Sequence, residues 1–335
     1  MPCYEYYLVS GDTQFLKERL LPAMKKTVLF FEDFLSDVDQ DGNLFFAPSY
    51  SPENSPSNIE LQGSANATMD IAAAKEAIQN LISVCEDLNI EKENIPRWRE
   101  MLEKLPPYLV NKDGALKEWT IDNLDDNYNH RHISHLYPLW PGFEINPEET
   151  PDMFEAARMA FANKGRGNNS AHGLMHGALI AARLKEADKV YENLLFMLTN
   201  NYVFTSLFTS HNPNLDIYNS DALNSLPAAV LEMLVYSRPG VIELLPACSD
   251  KIANGKISGV KCRTQATVEN LEWDFEKGLV QATIISDVDQ EIDLIFRRPN
   301  KSISNALGEE YEKESEVSRK IYLKKNEIKE IIIEF

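Results

Sequence analysis

Cysteine is scarce in this chain of 335 residues: Cys3, Cys85, Cys248 and Cys262 stand apart, with no CxxC pair among them. That spacing offers neither a zinc site nor a disulfide framework, and isolated thiols behave as small, partly buried apolar groups. Long apolar runs are missing too; none approaches the ~20 residues of a membrane span. Positive charge is in deficit, with 33 Lys and Arg against 52 Asp and Glu and a formal net charge of -19. A polyanion such as nucleic acid would be repelled, because no local basic stripe offsets the balance. A neutral ligand such as an oligosaccharide suits this surface better. The opening Met1-Pro2-Cys3-Tyr4-Glu5 has no basic stretch followed by an apolar one. No secretory signal is therefore read here, and the compartment, cytoplasmic or secreted, depends on whatever sequence precedes it. No cofactor is called for by any segment.

What is present is a helical pattern that later gives way to strands. Phe15, Leu20, Met24, Val28 and Phe31 recur at helical steps and predict a helix from Thr13 to Leu35. Asp41-Gly42-Asn43 breaks it, and a polar, Pro-rich loop follows through Pro56. Helices are predicted over 64–88 and 95–105, the second stopped by Pro106-Pro107. Residues 111–150 read as irregular. Further helices are predicted over 152–163, 171–184, 187–199 and 221–236. Beyond Pro246 the segments 267–273, 279–285, 292–296 and 328–335 are rich in β-formers and partly alternate, which predicts strands. The expected fold is thus mainly α, an incomplete (α/α)6 toroid over 1–247 followed by a small β-sandwich domain over 248–335. Long loops between the helices favour part of a toroid over a compact bundle.

All six histidines, His130, His132, His135, His172, His176 and His211, fall between positions 130 and 211. Three readings compete for them. A metal site would use His130, His132 and His135 with the i, i+4 pair His172 and His176. A sugar pocket would use imidazole and Arg131 donors for hydroxyls, with Trp140 as an apolar wall. The third reading is a set of capping and hydrogen-bonded core histidines. No acidic or Cys ligand sits beside His172-Gly173-Leu174-Met175-His176, which favours the pocket over the metal.

A glycosidase needs a carboxylic acid beside the leaving oxygen and a second group that activates water. Among 52 acidic residues, Glu53 stands out because Ser51-Pro52-Glu53-Asn54 frames it in a constrained loop. The plain alternative is a surface glutamate. Asp221, in Tyr218-Asn219-Ser220-Asp221, reads by default as a charge or cap at a helix N-terminus and otherwise as a base.

Several segments together resemble glycoside hydrolase family 95. They are Ala47-Pro48-Ser49-Tyr50-Ser51-Pro52-Glu53-Asn54, Ala67-Thr68-Met69-Asp70, Leu116-Lys117-Glu118-Trp119 and His130 to Gly142, the last matching the family's HRHxSHLxxLxPG motif. Asp221 to Leu234 and Ile242-Glu243-Leu244-Leu245-Pro246-Ala247 follow in the same order. The resemblance implies an (α/α)6 barrel with a β-domain. It also implies cleavage of terminal α-L-fucosyl or α-L-galactosyl residues with inversion. Glu53 matches the family's general acid, Asp221 the aspartate that supports water activation, and Arg131 and His132 sugar-binding positions. His135, Trp140, His172, His176 and His211 are expected to line the same pocket.

The family's water-holding Asn-x-Asn motif belongs to a segment that would precede Tyr4. The N-terminal half of the barrel is therefore an expected partner. The family's WSxAW stretch reads His172 to His176 here, and its IDGNFG reads Ser220-Asp221-Ala222-Leu223-Asn224-Ser225. A catalytically silent carbohydrate-binding or structural remnant is the competing expectation.

Overall fold

The computed structural model describes residues 2–165, 169–214 and 217–335. Its helices are α1 (Pro2–Ser10), α2 (Thr13–Phe15), α3 (Leu21–Phe34), α4 (Thr68–Asp87), α5 (Ile95–Glu103), α6 (Pro151–Ala162), α7 (Ala171–Arg183), α8 (Ala187–Thr199) and α9 (Ser220–Leu234). A π-helical turn, Leu16–Leu20, joins α2 to α3, and a single 3-10 turn, Ser134–Leu136, interrupts the irregular stretch after α5. Among the described residues helices account for 35%. Eleven strands follow α9 and extend to Glu334.

The chain divides into two compact units, Thr13–Gly173 and Leu174–Phe335, the latter joined by the N-terminal segment up to Asp12. In the 13–173 unit, α4 is the central element. Ile71, Ala74, Ile78, Leu81 and Cys85 lie on its buried face, at the three- and four-residue steps that bring helical side chains together. Helices α3 and α5 and the 3-10 turn all pack on α4. Ala67, immediately before α4, pairs with Trp119 and forms a small apolar cluster with it and Leu124. That cluster brings the 111–128 segment back to the start of α4, next to the loop that carries Glu53.

In the other unit, α9 ends at Leu234, and Val235 is already extended at φ -140°, ψ 106°. Strands β1 (Val235–Arg238) and β2 (Val241–Leu244) pair as a hairpin across Pro239-Gly240, with Gly240 at φ +75°. The sequence reading extended helix to 236 and helical character to about 247; strands start earlier. The apolar run of α9 continues without a polar break into Val235-Tyr236, so periodicity alone does not mark the change. The Pro-Gly pair, a turn signature with Gly supplying the positive φ, does.

The remaining strands are β3 (Asn254–Ile257), β4 (Val260–Cys262), β5 (Ala266–Asp274), β6 (Leu279–Ser286), β7 (Gln290–Ile295), β8 (Ser302–Ser304), β9 (Glu312–Lys313), β10 (Ser318–Leu323) and β11 (Ile328–Glu334). They form two sheets. One has the order β1-β2-β7-β10-β9; the other has β3-β5-β6-β11-β8, with β4 also paired to β5. All pairings are antiparallel except β2 with β7. Burial alternates along β6 and β10, as expected when one sheet face is covered.

This unit also holds a buried ion network. Glu232 of α9 is bonded by Arg183 of α7 and by Arg263, which pairs in turn with Glu5 of α1. Burial works against the Glu232 charge, but the two guanidinium groups outweigh it and hold the carboxyl at about 2. Cys85, Cys248 and Cys262 are buried free thiols and Cys3 is exposed.

Candidate active site

Glu53 sits between α3 and α4 in a loop fastened at its base. Ser49 pairs with Ser64 through the backbone, and its hydroxyl donates to Asp70 Oδ2 at 2.6 Å, in the first turn of α4. Pro52 and Glu53 are joined by a cis peptide bond. Ser134 Oγ donates to the Pro52 carbonyl at 2.8 Å, and Gln62 Nε2 donates to the Glu53 carbonyl at 2.9 Å. The main chain is thus held on both sides of Glu53, while its side chain stays 51% exposed. Arg131 ion-pairs with the carboxylate, and His132 Nε2 lies 3.9 Å from the same oxygen.

The histidines of the motif form a row. His130 and His132 stack with ring centroids 5.4 Å apart, and His132 and His172 meet at 4.9 Å with a 38° tilt. His130 Nδ1 accepts from the His132 amide at 3.1 Å, which fixes the turn between them. Burial lowers the pKa of His130, and nearby Lys164 adds to the effect. Lys164 is itself pushed down to about 8 by burial; its ammonium donates to the Gly173 carbonyl at 3.2 Å. Gly173 allows the first turn of α7 to approach this row, since a Cβ there would stand 2.9 Å from the Arg131 carbonyl oxygen.

Of the residues singled out from sequence, Glu53, Arg131, His132 and His172 are brought together. His135 instead lies 2% exposed, with both ring nitrogens unbonded and Nδ1 3.8 Å from Glu118 Oε2. Trp140 is half-buried, its amide donating to the Leu136 carbonyl at 3.0 Å. His176, His211 and Asp221 belong to the other unit. His176 is half-buried on α7. His211 Nδ1 stands 3.3 Å from Asn219 Nδ2. Asp221 is exposed in the first turn of α9, where Asn219, not Asp221, caps the helix by accepting from the Ala222 amide at 2.8 Å. Among the described residues no group of three or more His, Cys, Asp or Glu is arranged to hold a metal ion.

Glu118 was given no role by sequence reasoning. It is 3% exposed, and burial pushes it up to about 7 against the opposing bonds from Ser51 and Asn54. Its mark in the sequence is membership of the segment Leu116-Lys117-Glu118-Trp119, whose Leu116 and Trp119 are fully buried.

The family profile of the glycosyl hydrolase family 95 catalytic domain matches residues 1–234, and that of the family's C-terminal domain matches residues 236–333. The chain belongs to glycosyl hydrolase family 95. It is 31% identical to alpha-L-fucosidase 2 of Arabidopsis thaliana, over 88% of this chain and 36% of that protein. It is 24% identical to probable alpha-fucosidase A of Aspergillus oryzae, over 78% of this chain and 39% of that one. The family 95 chain thus spans well under half the length of these relatives. Among solved structures it resembles a putative kojibiose phosphorylase from the human microbiome (TM-score 0.57, 13% identity, 96% of this chain and 45% of that one). It also resembles an alpha-L-rhamnosidase from Dictyoglumus thermophilum (TM-score 0.56, 11% identity, 98% and 38%). At such identities the likeness is one of fold.

Proposed function

We propose that this family 95 chain carries the acid half of a glycosidase acting on terminal α-L-fucosyl or α-L-galactosyl residues with inversion. Glu53 is the general acid in this reading and Asp221 assists the attacking water. The single observation that carries it is the geometry around Glu53: a carboxyl exposed for contact, on a main chain pinned from both sides, next to Arg131 and a row of imidazoles. The fucosidase names of the two relatives support the fucosyl part of this reading. Part of an (α/α)6 toroid ending with α9, followed by a β-sandwich that takes in β1 and β2, is the architecture that goes with it. A segment completing the toroid is the partner required.

In the reaction, the C–O bond to the aglycone breaks as the Glu53 proton passes to the leaving oxygen. A water attacks the anomeric carbon from the opposite face and gives up its proton to a base supported by Asp221. Arg131 faces Glu53 as a counter-ion in the free site. An acid has to carry a proton, so on binding Arg131 turns from Glu53 to a sugar hydroxyl. His132 and His172 supply further donors and acceptors for the pyranose ring.

The test is incubation of the chain, joined to the segment that completes the toroid, with an α-1,2-linked L-fucosyl-lactose, followed by proton NMR. Release of L-fucose first as the β-anomer is expected, and Glu53→Gln should lower the rate by about 10²- to 10⁴-fold, the contribution typical of general acid catalysis. Release first as the α-anomer, or an active Glu53→Gln variant, would overturn the assignment. Binding of L-fucose without turnover would instead support the carbohydrate-binding reading.

A further inference from the structure

Glu118 commits both carboxylate oxygens to the Glu53 loop. Ser51 Oγ donates to Oε1 at 2.6 Å, and Asn54 Nδ2 donates to Oε2 at 2.8 Å. The two donors flank Pro52-Glu53, so one buried carboxylate spans the residue that presents the candidate acid. The clamp is itself held: the Glu118 amide donates to Asp126 Oδ1 at 2.8 Å, and Asn54 Nδ2 also donates to the Asn127 carbonyl at 2.9 Å.

Among the described residues no lysine or arginine is ion-paired to Glu118; its charged or titratable neighbours are His135 and Asp126. Burying a carboxylate without a cation is costly, and an apolar side chain of similar size would pack there at less cost. What an apolar residue cannot do is accept from two donors at once. Glutamine can keep both contacts only by reversing one, its Nε2 donating to the Ser51 hydroxyl. A carboxylate accepts from Ser51 and Asn54 together, as the two bonds stand.

We propose that Glu118 is the positioning residue of the candidate acid: by clamping Ser51 and Asn54 it sets where the Glu53 carboxyl stands relative to Arg131 and His132. The consequence for turnover rests on the reading of Glu53 as the acid; the clamp itself does not.

The experiment compares the wild-type chain with Glu118→Leu and Ser51→Ala by amide hydrogen exchange and by the pH profile of kcat/KM on the fucosyl substrate. Loss of both bonds in the first variant, or of the Ser51 bond in the second, should speed exchange over residues 48–56 by about tenfold or more, with α4 unchanged. The basic limb of the profile should move by about half a unit or more, because the Glu53 carboxyl changes its distance from Arg131. A purely structural defect would scale the profile without moving its midpoint. Wild-type exchange in the 48–56 loop of Glu118→Leu, or in Ser51→Ala if the first variant does not fold, would overturn the clamp. An unmoved midpoint in an active variant with a loosened loop would overturn the positioning role. If the wild type shows no turnover even with the segment that completes the toroid supplied, the acid reading of Glu53 fails while the exchange data still decide the clamp.

Discussion

Glu118 and His135 face each other 3.8 Å apart in the interior of the 13–173 unit, and burial drives both toward their neutral forms. Burial raises Glu118 from 4.5 to about 7, and it lowers His135 from 6.5 to about 4. The signs of the linked stability changes are opposite. With its folded pKa above the unfolded one, Glu118 contributes stability below about 4.5 that is lost as the pH rises to about 7. With its folded pKa below the unfolded one, His135 contributes stability above about 6.5 that is lost as the pH falls to about 4. Between about 4.5 and 6.5 the two changes oppose each other. The wild-type dependence on pH is therefore flatter there than that of either group alone, and single variants unmask it. Glu118→Gln should lose stability as the pH falls from about 6.5 to 4.5, and His135→Gln as the pH rises over the same range. Urea denaturation across that range measures both. Curves of either variant parallel to the wild type would show that the two groups do not titrate as their burial requires.

At the scale of elements, the first turn of α7 and the 130–132 segment meet where Gly173 leaves no room for a side chain. Alanine at this helical position would gain about 1 kcal/mol in propensity over glycine. Its Cβ, however, would stand 2.9 Å from the Arg131 carbonyl oxygen and 3.0 Å from Ser170 Oγ, and overpacking of that kind costs about 1–3 kcal/mol. The backbone contact decides the sign. Gly173→Ala should lower Tm slightly while shifting the His132 and His172 imidazole resonances in NMR, since it pushes apart the row they form. A raised Tm with unmoved imidazoles would mean the approach is looser than the structure has it.

Elements such as α4 and α8 were legible because their buried faces repeat at helical steps. By contrast, α1 buries no residue and leaves no periodic trace. Strand β10, Ser-Arg-Lys-Ile-Tyr-Leu, hides its strand character behind two adjacent charges, although Arg319 is itself buried. The same limit applies to the candidate site. Glu53, Arg131 and His132 were legible as motif members, and His172 as one of the clustered histidines. The burial of His135 and the clamp of Glu118 were not. Their partners lie far along the chain, 64 and 67 residues away for Glu118, and only the folded 111–128 segment brings them together.

For the molecule as a whole, 33 basic against 52 acidic residues leave a net charge of -19, while the candidate site places the Arg131 cation beside Glu53. The two fields act over different ranges. The Debye length is about 30 Å at 10 mM salt and about 8 Å at 150 mM, so the global field is felt by an approaching ligand only at low salt. A neutral fucosyl substrate carries no charge for that field to act on. Its kcat/KM should change by less than about twofold between ~10 and ~150 mM NaCl. A sulfated fucosyl substrate of the same linkage is repelled over the longer range, and its kcat/KM should rise by about tenfold over that interval as screening removes the barrier. Steady-state assays of the two substrates at matched pH test this. The opposite trend, a sulfated substrate favoured at low salt, would mean that Arg131 and its neighbours dominate the field at the point of entry. The acidic surface would then play no part in selecting the substrate.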